Sequence, residues 1–117
     1  AFEDVRGRIT DVFYNKNINH VAMINSAAGA IRGNHYHKLT TQHTLVVQGT
    51  MEYWSCDLSR NYINCHQANP GDLLTSEPNE IHAMRSTSDT VMMVFSEGVR
   101  GGQDYESDTY RVDPIIP

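Results

Sequence analysis

Three histidines could do chemistry in this sequence: His35 and His37, two residues apart, and His82 further along. Residues i and i+2 of a β-strand point to one face and lie about 7 Å apart, so imidazoles at that spacing can converge on one ion or one substrate atom. Imidazole nitrogen suits zinc, iron, nickel, manganese or copper, and geometry rather than residue type chooses among them. The same nitrogen, when unprotonated, serves as a base near neutral pH, so the three rings could also work with no metal at all.

These side chains must be positioned by strands. β-Branched and aromatic residues recur in short runs, which predicts strands over Arg8–Tyr14, Asn19–Asn25, Ala30–His37, His43–Trp54, Tyr62–Gln67, Asp72–Thr75, Ile81–Ser86, Thr90–Phe95 and Tyr105–Val112. Turn residues at 27–29, 59–61, 69–71, 77–79 and 101–102 separate them. Apolar residues never keep a helical period for three turns, so the chain is predicted to be all-β, a sandwich or a barrel. In Leu45-Val46-Val47 apolar residues fall on both faces, so both faces of that sheet are expected to be covered, one by the barrel interior and one by a second copy in a homodimer.

Composition bounds the partners. The 117 residues suffice for one hydrophobic core, so a single domain over 1–117 is expected. A formal charge of −5 and the lack of a basic stripe argue against nucleic acid, and no apolar run approaches a bilayer span. The start, AFEDVRGRIT, has no basic segment followed by an apolar one, so a cytoplasmic location is expected. Cys56 and Cys65 flank a turn and could be bridged, but a reducing cytosol favours two free thiols.

The segment Gly29–Gly49 contains His35, His37 and Gln42 at a spacing that resembles the first motif of the cupin superfamily, with Gln in the place usually held by Glu. Pro78, Glu80 and His82 resemble a Pro-x-Glu-x-His form of the second motif. The resemblance implies a single-domain cupin jelly-roll barrel whose lumen holds His35, His37, Gln42 and His82 around a divalent metal. Gln42 is expected on the strand next to the His35–His37 strand, with His82 arriving from across the barrel. An amide in place of a carboxylate leaves the ion's charge uncompensated, which lowers affinity and raises Lewis acidity toward an anionic or enolate-like ligand. By alternation His43 faces away from Gln42 and is read as surface or interface. His20 stays unassigned, and His66 has no convergent partner in the sequence.

Further phrases resemble cupins that remodel nucleotide sugars. Asp4-Val5-Arg6-Gly7, Ile31-Arg32-Gly33-Asn34-His35-Tyr36-His37 and the strand over 88–95 resemble dTDP-sugar 3,4-ketoisomerases and related epimerases. The ending Glu106-Ser107-Asp108-Thr109-Tyr110-Arg111-Val112 resembles the zinc-binding C-terminal cupin of capsular-polysaccharide UDP-sugar enzymes. This implies an enzyme that epimerises or ketoisomerises a 4-keto nucleotide sugar, with His35 and His37 in the catalytic centre and Arg6 and Arg32 on the phosphates. Arginine suits that task because its planar fork binds phosphate bidentately and keeps its charge. No Tyr-His-Asp set of the 3,5-epimerase type can be assigned to unique positions. Two other readings stand beside it: an iron-dependent cupin oxygenase, and a non-catalytic cupin that binds a metal or a small molecule.

Overall fold

The computed structural model describes residues 2–98 and 107–117. Their eleven strands are β1 (Phe2–Asp4), β2 (Gly7–Ile9), β3 (His20–Ser26), β4 (Ile31–Tyr36), β5 (Thr41–Gln48), β6 (Met51–Cys56), β7 (Asn64–Ala68), β8 (Leu73–Ser76), β9 (Ile81–Ser86), β10 (Thr90–Glu97) and β11 (Tyr110–Arg111). A four-stranded sheet in the order β3-β10-β5-β8 faces a five-stranded sheet in the order β11-β4-β9-β6-β7, and β1 and β2 form a separate hairpin. All pairings are antiparallel. The expected all-β jelly roll is the observed architecture.

Alternation explains how the sheets close on each other. Along β10, Thr90, Met92, Val94 and Ser96 are buried while their neighbours are partly exposed, the period of a strand with one face inward. Val46, Met92 and Val94 from one sheet meet Met51, Tyr53, Ala68 and Met84 from the other in the main core. β9 is covered on both faces, because a second cluster joins Ile81, Ala83 and Cys56 to Ile115 and Ile116 of the C-terminal tail.

Several expectations change. The predicted strand Arg8–Tyr14 ends at Ile9, and the residues after it cross the outside of the four-stranded sheet, where Phe13 packs edge-on against His43 and Phe95, each at 4.9 Å. The predicted strand His43–Trp54 is two strands. Gly49 breaks it with φ of 80°, and a Cβ there would lie 2.1 Å from the Asp89 carbonyl oxygen, so the chain turns where only glycine fits. Of the predicted strand Tyr105–Val112, only Tyr110–Arg111 is regular, and Tyr105 and Glu106, like the predicted turn at 101–102, lie outside the described residues.

The outer face of the four-stranded sheet is covered at its His43 end by Phe13, but Val21, Met23, Val47 and Leu73 are 51%, 63%, 44% and 40% exposed. Cys56 is buried, Cys65 is exposed, and both are free thiols. They sit on paired strands, but the register sets Cys65 opposite Trp54 rather than Cys56. Among the described residues no helix is long and apolar enough to cross a membrane.

Candidate active site

The site begins with an irregularity in β4. Gly33 pairs with Ala83 and His35 with His82, so Asn34 is an extra residue, a β-bulge. Gly33 and Asn34 take positive φ of 95° and 58°, a geometry in which glycine is at ease and asparagine is tolerated. The bulge is clipped from outside, since the Asn34 carbonyl accepts from Val112 N–H at 3.0 Å and its Oδ1 accepts from Ile115 N–H at 2.9 Å. It re-aims His35 so that its ring stands 4.7 Å from that of His82, nearly perpendicular at 88°. His37, just past the end of β4, completes the trio at 4.9 Å from His35 and 5.3 Å from His82.

This corrects the expected layout. His82 does not come from across the barrel but from the neighbouring strand, directly opposite His35 in the register. Gln42 lies on β5 of the facing sheet, because β4 pairs with β9 and β11 and never with β5. The turn between β4 and β5 crosses from one sheet to the other, which sequence spacing alone does not reveal. His43 is also corrected: it is 5% exposed, with Nε2 bonded to the Glu97 carboxylate at 2.6 Å and Nδ1 to the Thr75 hydroxyl at 2.9 Å, under Phe13.

Electrostatics keeps two of the three rings uncharged. Burial holds the His35 pKa down at about 4, with help from His37 and Arg111, and holds His82 at about 3, with help from His35 and His37. His37 donates from Nδ1 to the Asp108 main-chain oxygen at 3.0 Å, and His82 Nδ1 faces the Glu80 carbonyl at 3.4 Å. His35 Nδ1 and His82 Nε2 are buried with no hydrogen-bond partner among the described residues. Such orphaned nitrogens are costly in a folded interior unless something fills them. One nitrogen from each ring lies within 4.8 Å of the others, so the three imidazoles form a donor set that fits a divalent transition metal.

A cavity of about 440 Å³ opens in front of the trio, lined by His20, Arg32, His35, Gln42, Ser96 and Arg111 among apolar neighbours such as Ile24, Met84 and Val94. Of the trio only His35 is on its wall. Arg32 bonds the Ser26 hydroxyl at 2.6 Å while lining the cavity. Arg6 sits on the separate hairpin in an ion pair with Asp4 at 2.6 Å and does not line the cavity.

The model for the polysaccharide biosynthesis C-terminal domain matches residues 2–110. The chain belongs to that family. No curated protein matches the domain. Among solved structures, the domain is similar to the dTDP-4-dehydrorhamnose 3,5-epimerase of Sulfolobus tokodaii, with a TM-score of 0.77 and 19% identity over 98% of this chain and 77% of that one. It is equally similar to the sugar 3,4-ketoisomerase QdtA of Thermoanaerobacterium thermosaccharolyticum, solved with TDP, with a TM-score of 0.77 and 19% identity over 95% of this chain and 82% of that one. The capsular polysaccharide assembling protein CapF of Staphylococcus aureus has a TM-score of 0.71 and 18% identity over 80% of this chain. This chain spans only 28% of the CapF chain. The fold is thus the cupin jelly roll expected from the motifs.

Sequence reasoning missed three residues that the domain brings to the site. His20 and Arg111 line the cavity, and Asp108 bonds His37. Asp108 and Arg111 stand in the ending that carried the family resemblance, and their type and place there were the available signal.

A pH dependence follows for the metal-free domain. In the unfolded chain these imidazoles titrate near 6.5, so below that value the unfolded state binds protons that native His35 and His82 refuse. Stability is then complete above 6.5 and falls as pH drops toward 4 and 3, by at most about 1.4 kcal/mol per pH unit for each ring. Glu80, whose carboxyl is pushed up by burial, offsets part of the loss at the acid end. Urea unfolding in chelator at pH 7.5, 6 and 5 should give falling midpoints, and a flat profile would contradict the uncharged state of His35 and His82.

Proposed function

We propose that this domain acts on a 4-keto nucleotide sugar, moving a proton beside the ketone to give an epimer or a ketoisomer. The observation that carries the reading is the cavity that puts His35 on one wall with Arg32 and Arg111. Family membership supports it, as do the activities of the similar structures, an epimerase of a dTDP-4-keto sugar and a 3,4-ketoisomerase, the latter also solved with TDP-4-keto-6-deoxyglucose.

A ketone at C4 acidifies the protons on C3 and C5, so a base and an oxyanion stabiliser are what the reaction needs. Arg32 holds the phosphates and fixes the sugar against the wall. His35, uncharged and on the cavity wall, takes the proton and returns it to the other face or to the neighbouring carbon, with His37 and His82 behind it. His35, His37 and His82, with Gln42 facing them, are the residues that would hold a divalent zinc, iron, nickel or manganese ion. A bound ion would supply Lewis acidity toward the enolate oxygen. A lone pair held by an ion cannot accept a proton, and His20 is then the imidazole on the cavity wall that does so. Both thiols stay reduced in the cytoplasmic setting of this reading.

The reading includes a homodimer. Val21, Met23, Val47 and Leu73 are exposed on one sheet face, and the register sets Met93 between Met23 and Leu45 and sets Leu45 opposite Leu73, so the apolar face is continuous. Met23→Lys should convert a dimer into a monomer in light scattering coupled to gel filtration. A wild-type monomer at micromolar concentration would remove this part of the reading.

The test of function is solvent-deuterium exchange. Metal-loaded protein in deuterated buffer with a panel of 4-keto nucleotide sugars should place one deuterium beside the ketone of at least one of them. No label in any sugar would overturn the proposal. Iron in the purified protein together with sugar-independent oxygen uptake would support the oxygenase reading instead.

A further inference from the structure

Asp108 touches both the ring of His37 and the corner of chain that follows it. Its main-chain oxygen accepts from His37 Nδ1–H at 3.0 Å. Its carboxylate accepts from Lys38 N–H at 3.0 Å through Oδ1, and from Leu39 N–H at 3.0 Å and the Thr40 hydroxyl at 2.9 Å through Oδ2. Asp108 is 4% exposed and Thr40 is wholly buried, so water offers these groups no substitute. Burial pushes the Asp108 carboxyl up, but its N–H and hydroxyl donors outweigh that and hold it below the usual carboxylate range.

A carbonyl oxygen can only accept a hydrogen bond. The proton of His37 is therefore on Nδ1 and its lone pair on Nε2. We propose that Asp108 is a positioning residue for His37: its carboxylate pins the corner at 38–40, which keeps its own main-chain oxygen against Nδ1 and leaves Nε2 as the nitrogen His37 offers to the trio. An imidazole whose second nitrogen is held this way is oriented and made more basic, and loss of such a partner typically weakens metal binding by about 10–100-fold. The inference rests on the trio as the working centre, but its first readout does not need a metal.

The experiment compares wild type, Asp108→Ala, Asp108→Asn and Ser86→Ala. Ser86 makes a buried hydroxyl bond to Thr90 at 2.9 Å at the other end of β9 and controls for loss of stability alone. Nitrogen-15 NMR of metal-free protein reports the tautomer of the His37 ring, and competition with a chromophoric chelator reports zinc affinity. Asp108→Ala should shift His37 from a single Nδ1–H tautomer to a mixture and weaken zinc binding about 10–100-fold. Asp108→Asn, which keeps one acceptor oxygen, should fall between, and it supplies the readout if the alanine variant does not fold. Ser86→Ala should change neither. An unchanged tautomer in the Asp108 variants, or an equal shift in Ser86→Ala, overturns the proposal. If wild type binds no zinc, the metal part of the proposed function fails, and the tautomer alone decides the role of Asp108.

Discussion

Deuterium exchange into a 4-keto nucleotide sugar should fall by about 10²–10⁴-fold when His35 is replaced by alanine, the usual range for loss of a positioned acid–base group. The effect is expected to be large because His35 is the only ring of the trio on the cavity wall, and its buried Nδ1 is engaged by none of the described residues. Either role of the ring, base or ligand, disappears with it. The fold should survive, because His35 is only partly buried and the bulge that presents it is set by Gly33 and Asn34 rather than by the imidazole. Exchange rates and urea midpoints measured together separate the two effects. His66→Ala, on the exposed strand β7, is the control and should leave both unchanged. Retention of most of the exchange rate by His35→Ala would remove His35 from the centre.

The second large effect is expected at Gly33. A Cβ there would stand 2.6 Å from the His82 carbonyl oxygen and 2.9 Å from the Ala83 Cα, both main-chain atoms of the paired strand, at a φ of 95°. Nothing flexible can give way, so alanine must part β4 from β9 at the step where His35 meets His82. Strain at a positive φ and forced overpacking each cost on the order of 1–3 kcal/mol, which sets the expected loss for Gly33→Ala at about 2–6 kcal/mol. Gly71→Ala isolates the first contribution, since its φ is 94° but nothing lies within 4 Å of the added atom. It should lose about 1–3 kcal/mol and keep the histidine cluster. Equal urea midpoints for the two variants would show that the close approach at Gly33 does not matter.

Much of the fold is legible in the sequence because strand residues and turn residues alternate at short range. Ile81–Ser86 is an element whose bounds the local pattern recovers in full. Errors arise where a contact distant in sequence decides. Gly49 looks like a residue inside a long strand until Asp89 is seen lying against it. The run before Tyr14 has the β-branched and aromatic content of a strand, yet Phe13 is used to cover His43 and Phe95.

The histidines follow the same logic. The pair at 35 and 37 is readable because strand geometry places it, and His82 is readable from its motif, but which of His82 and Gln42 is the neighbour depends on whether the chain changes sheets after His37. No residue type announces that crossing. His43 has the alternation of an outward residue, and it does face outward. It is buried because Phe13 lies over it and Glu97 and Thr75 hold its ring. Asp108 was legible only through its place in the family-like ending, since its partners are about seventy residues away in sequence.

The working centre requires three imidazoles on neighbouring strands, with His35 and His82 uncharged before any ligand arrives. Anaerobic titration of metal-free protein with cobalt(II) at pH 7 tests this directly. Metal binding releases a proton for every ligand that was protonated beforehand, so His35 and His82 should contribute none. The expected result is one cobalt per chain, visible bands of a nitrogen-ligated ion, no more than one proton released per ion, and loss of the bands in His82→Ala. No saturable cobalt binding, release of two or more protons per ion, or full binding by His82→Ala would contradict the account.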